Sequence, residues 1–157
     1  MSYISSTQFL KRLSHVVAVA LLSVHISAQA IQTSDIEDYL KQGDKELAEG
    51  KLDEALLAFQ KAAAIKSDTE LIQQKLANVY LLKGEYANSI KYFHKALGFN
   101  AKNSKAFIGL GLAYLHTGQY SLANAALEEA RQYSEKKQDI DKIIVWIKSR
   151  QQNQSQP

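Results

Sequence analysis

Apolar positions recur along this chain with two spacings at once, one of three to four residues and one of 34. Gln73, Leu76, Ala77 and Tyr80 stand at i, i+3, i+4 and i+7, the one-face pattern of a helix with about 3.6 residues per turn. Phe107, Leu110, Gly111 and Tyr114 repeat that stripe 34 residues later. A second stripe, Ala55, Phe59 and Ala62, returns as Ala123, Leu127 and Ala130. Between the paired stripes stand Gly50, Gly84 and Gly118. Glycine ends a helix cleanly because it reaches the left-handed cap conformation without a steric cost. Phe59, Phe93 and Leu127 keep the same step, as do Ala62, Ala96 and Ala130. Three gapless units result, 36–69, 70–103 and 104–137, each reading helix, turn, helix. A period held this strictly predicts stacked repeats. Gly43, Ala77 and Gly111 share one register position, where a small residue lets paired helices approach, with Phe59, Phe93 and Leu127 filling the space beyond.

The ends of the array read differently. Ile140, Ile143, Ile144 and Ile147 form an apolar stripe behind Asp139, which predicts a capping helix over 138–150 with Asp139 as its N-cap. Such a helix closes the apolar face that a last repeat leaves open. Trp146 lies about 100° off that stripe, so it either packs on the flank or anchors a partner. Residues 151–157 are polar and are expected to be a disordered tail. At the other end, Lys11 and Arg12 precede an apolar run from Val16 to Val24, and Ala28-Gln29-Ala30 follows. These are the basic, apolar and small-x-small parts of a secretory signal peptide over residues 1–30, cleaved after Ala30. A retained membrane anchor is the competing reading, but a span needs about 20 apolar residues. The chain is therefore expected to be exported to the periplasm, with no membrane span after cleavage.

The three units resemble the tetratricopeptide repeat family over residues 36–137. The small residue at repeat position 8, glycine at 15, apolar Leu52, Tyr86 and Tyr120 at 17, and small Ala55, Ser89 and Ala123 at 20 carry the likeness. The bulky residue at 24 and the alanine at 27 complete it. The resemblance implies an all-α fold, a right-handed α-solenoid of three helix-turn-helix repeats with the capping helix behind them. Three departures stand out. Position 32, where proline is usual, holds Ser67, Ala101 and Glu135, so the links between units are less rigidly punctuated. Glu46 and Gln73 replace aromatics at position 11 of the first unit and position 4 of the second.

In this family the first helices line a concave groove that binds another protein or peptide. Position by position, the resemblance places Leu40, Asp44 and Leu47 there from the first unit, and Leu71, Gln74, Lys75, Asn78, Leu81 and Leu82 from the second. Lys105, Ile108, Leu112, Leu115 and His116 follow from the third, with Gly109 among them. Leu47, Leu81 and Leu115 form a ladder that suits an amphipathic helix or an extended apolar peptide, with Lys75, Asn78 and Lys105 setting its register. Some of these leucines, Leu81 and Leu115 above all, are alternatively packed between helices. The carboxylate clamp of some relatives is not carried over: its sites hold Leu40, Asp44, Lys75, Lys105 and Gly109, of which only Lys105 fits.

Charge and chemistry narrow the functional classes. The formal charge of +3 shrinks without residues 1–30, because removing Lys11 and Arg12 leaves 17 basic against 16 acidic residues. That balance gives no clustered basic face for nucleic acid. Residues 31–69 carry nine acids against five lysines, while Lys75, Lys83, Lys91, Lys95 and Lys102 make the second unit basic. This is either an ordinary helical surface or a field that orients a partner. With no cysteine, thiolate zinc sites and cysteine nucleophiles are excluded. After residue 30 only His94 and His116 remain as histidines, and no metal, phosphate-loop or nucleophile motif accompanies them. Glu128 and Glu129 are adjacent on a helix and diverge by about 100°, too far for an acid/base couple. The expectation is a non-enzymatic scaffold without cofactor or metal, serving a cell-envelope assembly, pilus or secretion system. The alternatives are a chaperone for a secretion substrate and a non-catalytic regulator of an envelope enzyme.

Overall fold

The computed structural model describes residues 34–67 and 69–154. The expected signal peptide lies outside the described residues, as do residues 155–157 of the tail. Within them the chain is all helix: α1 (34–48), α2 (Leu52–Ile65), α3 (Glu70–Leu82), α4 (Tyr86–Phe99), α5 (Ser104–His116), α6 (Tyr120–Tyr133) and α7 (Lys137–Gln154). Successive helices pack on one another, α3 also touches α5, and the result is a helical solenoid.

The punctuation that separates these helices is the same device three times. Gly50, Gly84 and Gly118 adopt φ of 76°, 75° and 72°, where a side chain would be strained. Their N–H groups donate to Leu47, Leu81 and Leu115 oxygens at 3.1, 3.1 and 3.0 Å. The next N–H groups, of Lys51, Glu85 and Gln119, reach back to Glu46, Tyr80 and Tyr114 oxygens, each at 2.9 Å. This paired closure satisfies two carbonyls that a helix end would otherwise orphan. The following helices then start at once, with no side-chain cap on α2, α4 or α6. The longer links between units end instead on capping side chains. Thr69 Oγ1 accepts from Ile72 N at 3.3 Å to start α3, and Asn103 Oδ1 accepts from Ala106 N at 2.9 Å to start α5.

The core is not one mass but three linked clusters, each spanning a junction between units. Ala55, Phe59 and Ala62 of α2 meet Ile72, Leu76 and Val79 of α3. Phe93 and Ala96 of α4 meet Ala106 and Leu110 of α5, with Ala77 and Ala126 closing the cluster. Ala123, Leu127 and Ala130 of α6 meet Ile140, Ile144 and Ile147 of α7. Helix α7 thus occupies the place of a further first helix and covers what α6 would expose. Its expected stripe is present, with Ile143 partly buried beside the other three isoleucines.

Two expectations about α7 need correction. It starts at Lys137, so Asp139 is not its N-cap but sits in the first turn. There its carboxylate pairs with Lys142 at 3.0 Å and faces the positive end of the helix dipole. The helix also runs through residues 151–154, which were expected in the disordered tail. No proline or glycine interrupts it there, and Gln151 Nε2 ties it to Ser121 Oγ of α6 at 3.3 Å. Trp146 is 47% exposed on the outer side, with the Arg150 guanidinium 5.2 Å from its ring centroid.

The glycines within helices carry the close packing. A Cβ on Gly43 would overlap the Phe59 ring, and one on Gly111 would lie 2.9 Å from Leu127 Cγ. The middle unit has Ala77 at that register position, and its Phe93 ring instead lies against the bare backbone of Gly109 in the next unit. Gly109 is buried, so it does not line a groove. Gly109→Ala is expected to destabilise by about 1–3 kcal/mol, because overpacking outweighs the roughly 1 kcal/mol of helix propensity gained. Gly98→Ala, with nothing within 4 Å of an added Cβ, should instead stabilise by about 0.5–1 kcal/mol. Urea unfolding of the two variants should therefore move the midpoint in opposite directions.

Candidate protein-binding groove

The groove residues implied by the repeat register lie on α1, α3 and α5, and the structure divides them by exposure. Leu40 and Leu47 pack against the first core cluster, Leu81 against the second, and Ile108 and Leu115 against the third. Each remains partly exposed, so the Leu47, Leu81 and Leu115 ladder is shared between the helix interfaces and the surface. Leu112, Gln74, Lys75 and Asn78 are also half-buried, whereas Asp44, Lys105 and His116 are exposed. Leu71 and Leu82 are the most open apolar side chains of the set, 50% and 61% exposed.

Helix α3 explains why this face stays apolar. It buries Ile72, Gln73, Leu76, Ala77, Val79 and Tyr80 toward its neighbours. Leu71 and Leu82 are additional to what that packing needs. They stand open at the two ends of a helix that already has a buried stripe, with half-buried Leu81 beside Leu82.

Several polar residues of the set are already engaged. Lys75 Nζ pairs with Asp44 Oδ1, joining α3 to α1, and lies 5.8 Å from the Phe59 ring centroid. Lys83 Nζ pairs likewise with Asp53 Oδ1 of α2, and this hydrogen bond, followed by the nearby carboxylate charges, raises the lysine pKa above its ordinary value. The acidic first unit and basic second unit therefore hold each other, and part of their charge contrast is consumed at the junction. His116 is stacked on Tyr86 at 4.8 Å with ring planes 5° apart, and His94 Nε2 lies 3.1 Å from Tyr114 Oη. Both histidines thus belong to contacts between α4 and α5. Glu128, paired with Lys148 at 3.7 Å, links α6 to α7. Among the described residues no group of three or more His, Asp or Glu side chains could hold a metal ion.

The sequence reading missed the joint between the second and third units. Asn103 Nδ2 donates to Glu70 Oε1 and, at 2.7 Å, to Gln74 Oε1, while its Oδ1 caps α5. Asn100 Nδ2 donates to Glu70 Oε2 at 3.0 Å. One buried asparagine therefore supplies the rigidity for which the family usually uses proline. The visible signal was Asn103 immediately before an apolar periodic run, an N-cap signature.

The geometry defines the class of protein: a solenoid of helical hairpins whose first helices present a partly apolar face. By sequence, residues 72–103 match the family model described as tetratricopeptide repeat. The sequence match is confined to that unit, and the fold of the whole array is the one seen in solved tetratricopeptide-repeat domains. Among solved structures it is similar to the Arabidopsis OM64 TPR domain (15% identity, TM-score 0.72), covering 75% of this chain and 98% of that one. It is also similar to the second TPR domain of human RPAP3, solved with the HSP70 peptide SGPTIEEVD (20% identity, TM-score 0.69, 74% and 98% covered). A third is the Yersinia enterocolitica type III secretion translocator chaperone SycD (15% identity, TM-score 0.71, 74% and 86% covered). A comparison with curated proteins finds no match.

Asn103→Ala should lower stability by about 2 kcal/mol, since it removes both a helix cap and partners of buried polar groups. Asn100→Ala, which loses one exposed hydrogen bond, should cost less than about 1 kcal/mol. Chemical denaturation of both variants checks the ranking, and equal losses would show that Asn103 does not hold the joint.

Proposed function

We propose that this protein is a scaffold that binds a segment of another protein along the α1–α3–α5 face, in the cell envelope. The observation that carries the reading is the apolar surface on α3, Leu71 and Leu82 above all, beside the half-buried Leu40, Leu47, Leu81, Ile108, Leu112 and Leu115. A segment with apolar residues at helical or alternate spacing would cover these positions, with Asn78 and Lys105 as polar partners. Neighbours of the same fold support the reading, since the human RPAP3 domain was solved with a peptide bound.

Acidic peptide tails of that kind are not the ligand proposed here. Asp44 carries the wrong charge for a carboxylate clamp, Lys75 is already paired with it, and Gly109 is buried. The envelope setting rests on the residue 1–30 pattern, and among the described residues no helix is long and apolar enough to cross a membrane. The likeness to SycD keeps a second reading in view, a chaperone for a secretion substrate.

Crosslinking in cells from a photoreactive residue at position 78, followed by mass spectrometry, should capture a protein partner. Leu71→Glu and Leu82→Glu, both at exposed sites that leave the core intact, should each weaken that partner's binding by about tenfold or more. Unchanged binding in both variants would sink the groove. Mass analysis of the protein from fractionated cells should find it periplasmic and beginning at Ile31. An intact N-terminus in the cytosol would favour the chaperone.

A further inference from the structure

A cavity of about 440 Å³ opens on the other side of α3, between the α2–α3 link and the last turn of α4. Ser67, Gln73, Lys95, Gly98 and Phe99 line it, and none of the groove residues does. Its size falls in the range of small-ligand sites.

Comparison of the units with one another shows where this space comes from. At the register position of Gln73 the first and third units carry Tyr39 and Phe107, both packed against core clusters. At the register position of Gly98 they carry Ala64 and Gln132. The middle unit therefore removes side-chain volume twice, and both removals border one cavity. Each is also unfavourable locally. A glycine inside a helix weakens it. Gln73 is only 4% exposed, and while its Nε2 donates to the Ser67 oxygen, its Oε1 has no hydrogen-bond partner among the described residues. A buried acceptor left unmade is costly. Two departures from local stability that meet at one place are what a binding site produces.

The walls state the ligand chemistry. Phe99, 53% exposed, and the bare Gly98 backbone offer an apolar surface. Lys95 brings a cation, which lies 5.0 Å from the Tyr92 ring centroid. We propose that this cavity is a second binding site, for a carboxylate carrying an apolar group, the chemistry of an N-acylated apolar amino acid. That chemistry also occurs at the end of a polypeptide whose last residue is apolar. The carboxylate pairs with Lys95, and the apolar group lies on Phe99 and Gly98.

Calorimetric titration of the full chain with N-acetyl-L-phenylalanine tests the site. About fifteen non-hydrogen atoms at the efficiency usual for small ligands give a Kd of about 0.5 mM. N-acetyl-L-phenylalaninamide, which lacks the carboxylate, should bind at least about tenfold more weakly, as should Lys95→Glu with the acid. Gly98→Leu fills the cavity with nothing within 4 Å of its Cβ, and should abolish binding while the helical circular dichroism is retained and the unfolding midpoint does not fall. Leu82→Glu, on the groove side, should leave the titration unchanged. A peptide ending in phenylalanine that binds as well as the acid identifies a chain end as the occupant; its exclusion identifies a free acylated amino acid. No binding of either probe, or binding that survives Gly98→Leu, overturns the site.

Discussion

Everything in this solenoid depends on how closely a second helix can approach a first helix, and that distance is set by one bulky side chain per unit. Phe59, Phe93 and Leu127 are wholly buried, and each meets a glycine backbone where a β-carbon would collide. Because interiors are packed to crystal-like density, a single methyl at such a point is felt throughout the contact. The contact is also what makes the array a chain of local decisions. Phe59 meets Gly43 and Leu127 meets Gly111 within their own units, but Phe93 meets Gly109 in the next one. The middle unit is therefore tied forward by its largest side chain, and the three core clusters across the junctions continue that tie.

Polar groups do the corresponding work on the surface of the joints. The first and second units are linked by Lys75 with Asp44 and Lys83 with Asp53, the second and third by the Glu70, Gln74, Asn100 and Asn103 hydrogen bonds. The last is closed by Arg131 with Asp141 at 2.5 Å and by Lys148 with Glu128. Exposed ion pairs of this kind contribute little each and are screened by salt, so they orient units that apolar burial already holds. A solenoid without the family's linking proline needs such orientation, because neighbouring units touch only each other.

What could be read from the sequence follows from this division. The period, the helix pairs, the glycine caps and the capping isoleucines were legible because each depends on residues a fixed number of positions apart. Gly109 was misplaced because its partner sits in another unit and its role depends on Ala77 occupying the small position of the preceding one. Position within a repeat does not encode that exchange. The Asn103 joint was hidden for a related reason: its partners Glu70 and Gln74 lie 33 and 29 residues away, across two helices. The end of α7 was misjudged because a polar segment reads as tail until a contact such as Gln151 with Ser121 is seen. For the groove, the register assigns a face, but only accessibility separates Leu82 from Leu81, adjacent residues of which one is open and the other packs on the core.

The middle unit concentrates what the others share out. It alone lacks an aromatic at the fourth register position, carries a glycine in its second helix and keeps open leucines at both ends of its first helix. A repeat array can carry such departures at its centre more readily than at its ends, since a central unit is held from two sides and a terminal unit from one. In this protein both sides are strong: Phe59 and Ile72 lie in the cluster below, Phe93 and Leu110 in the cluster above. The flanking units thus supply the stability that lets α3 present an apolar face to a partner on one side and border an open cavity on the other.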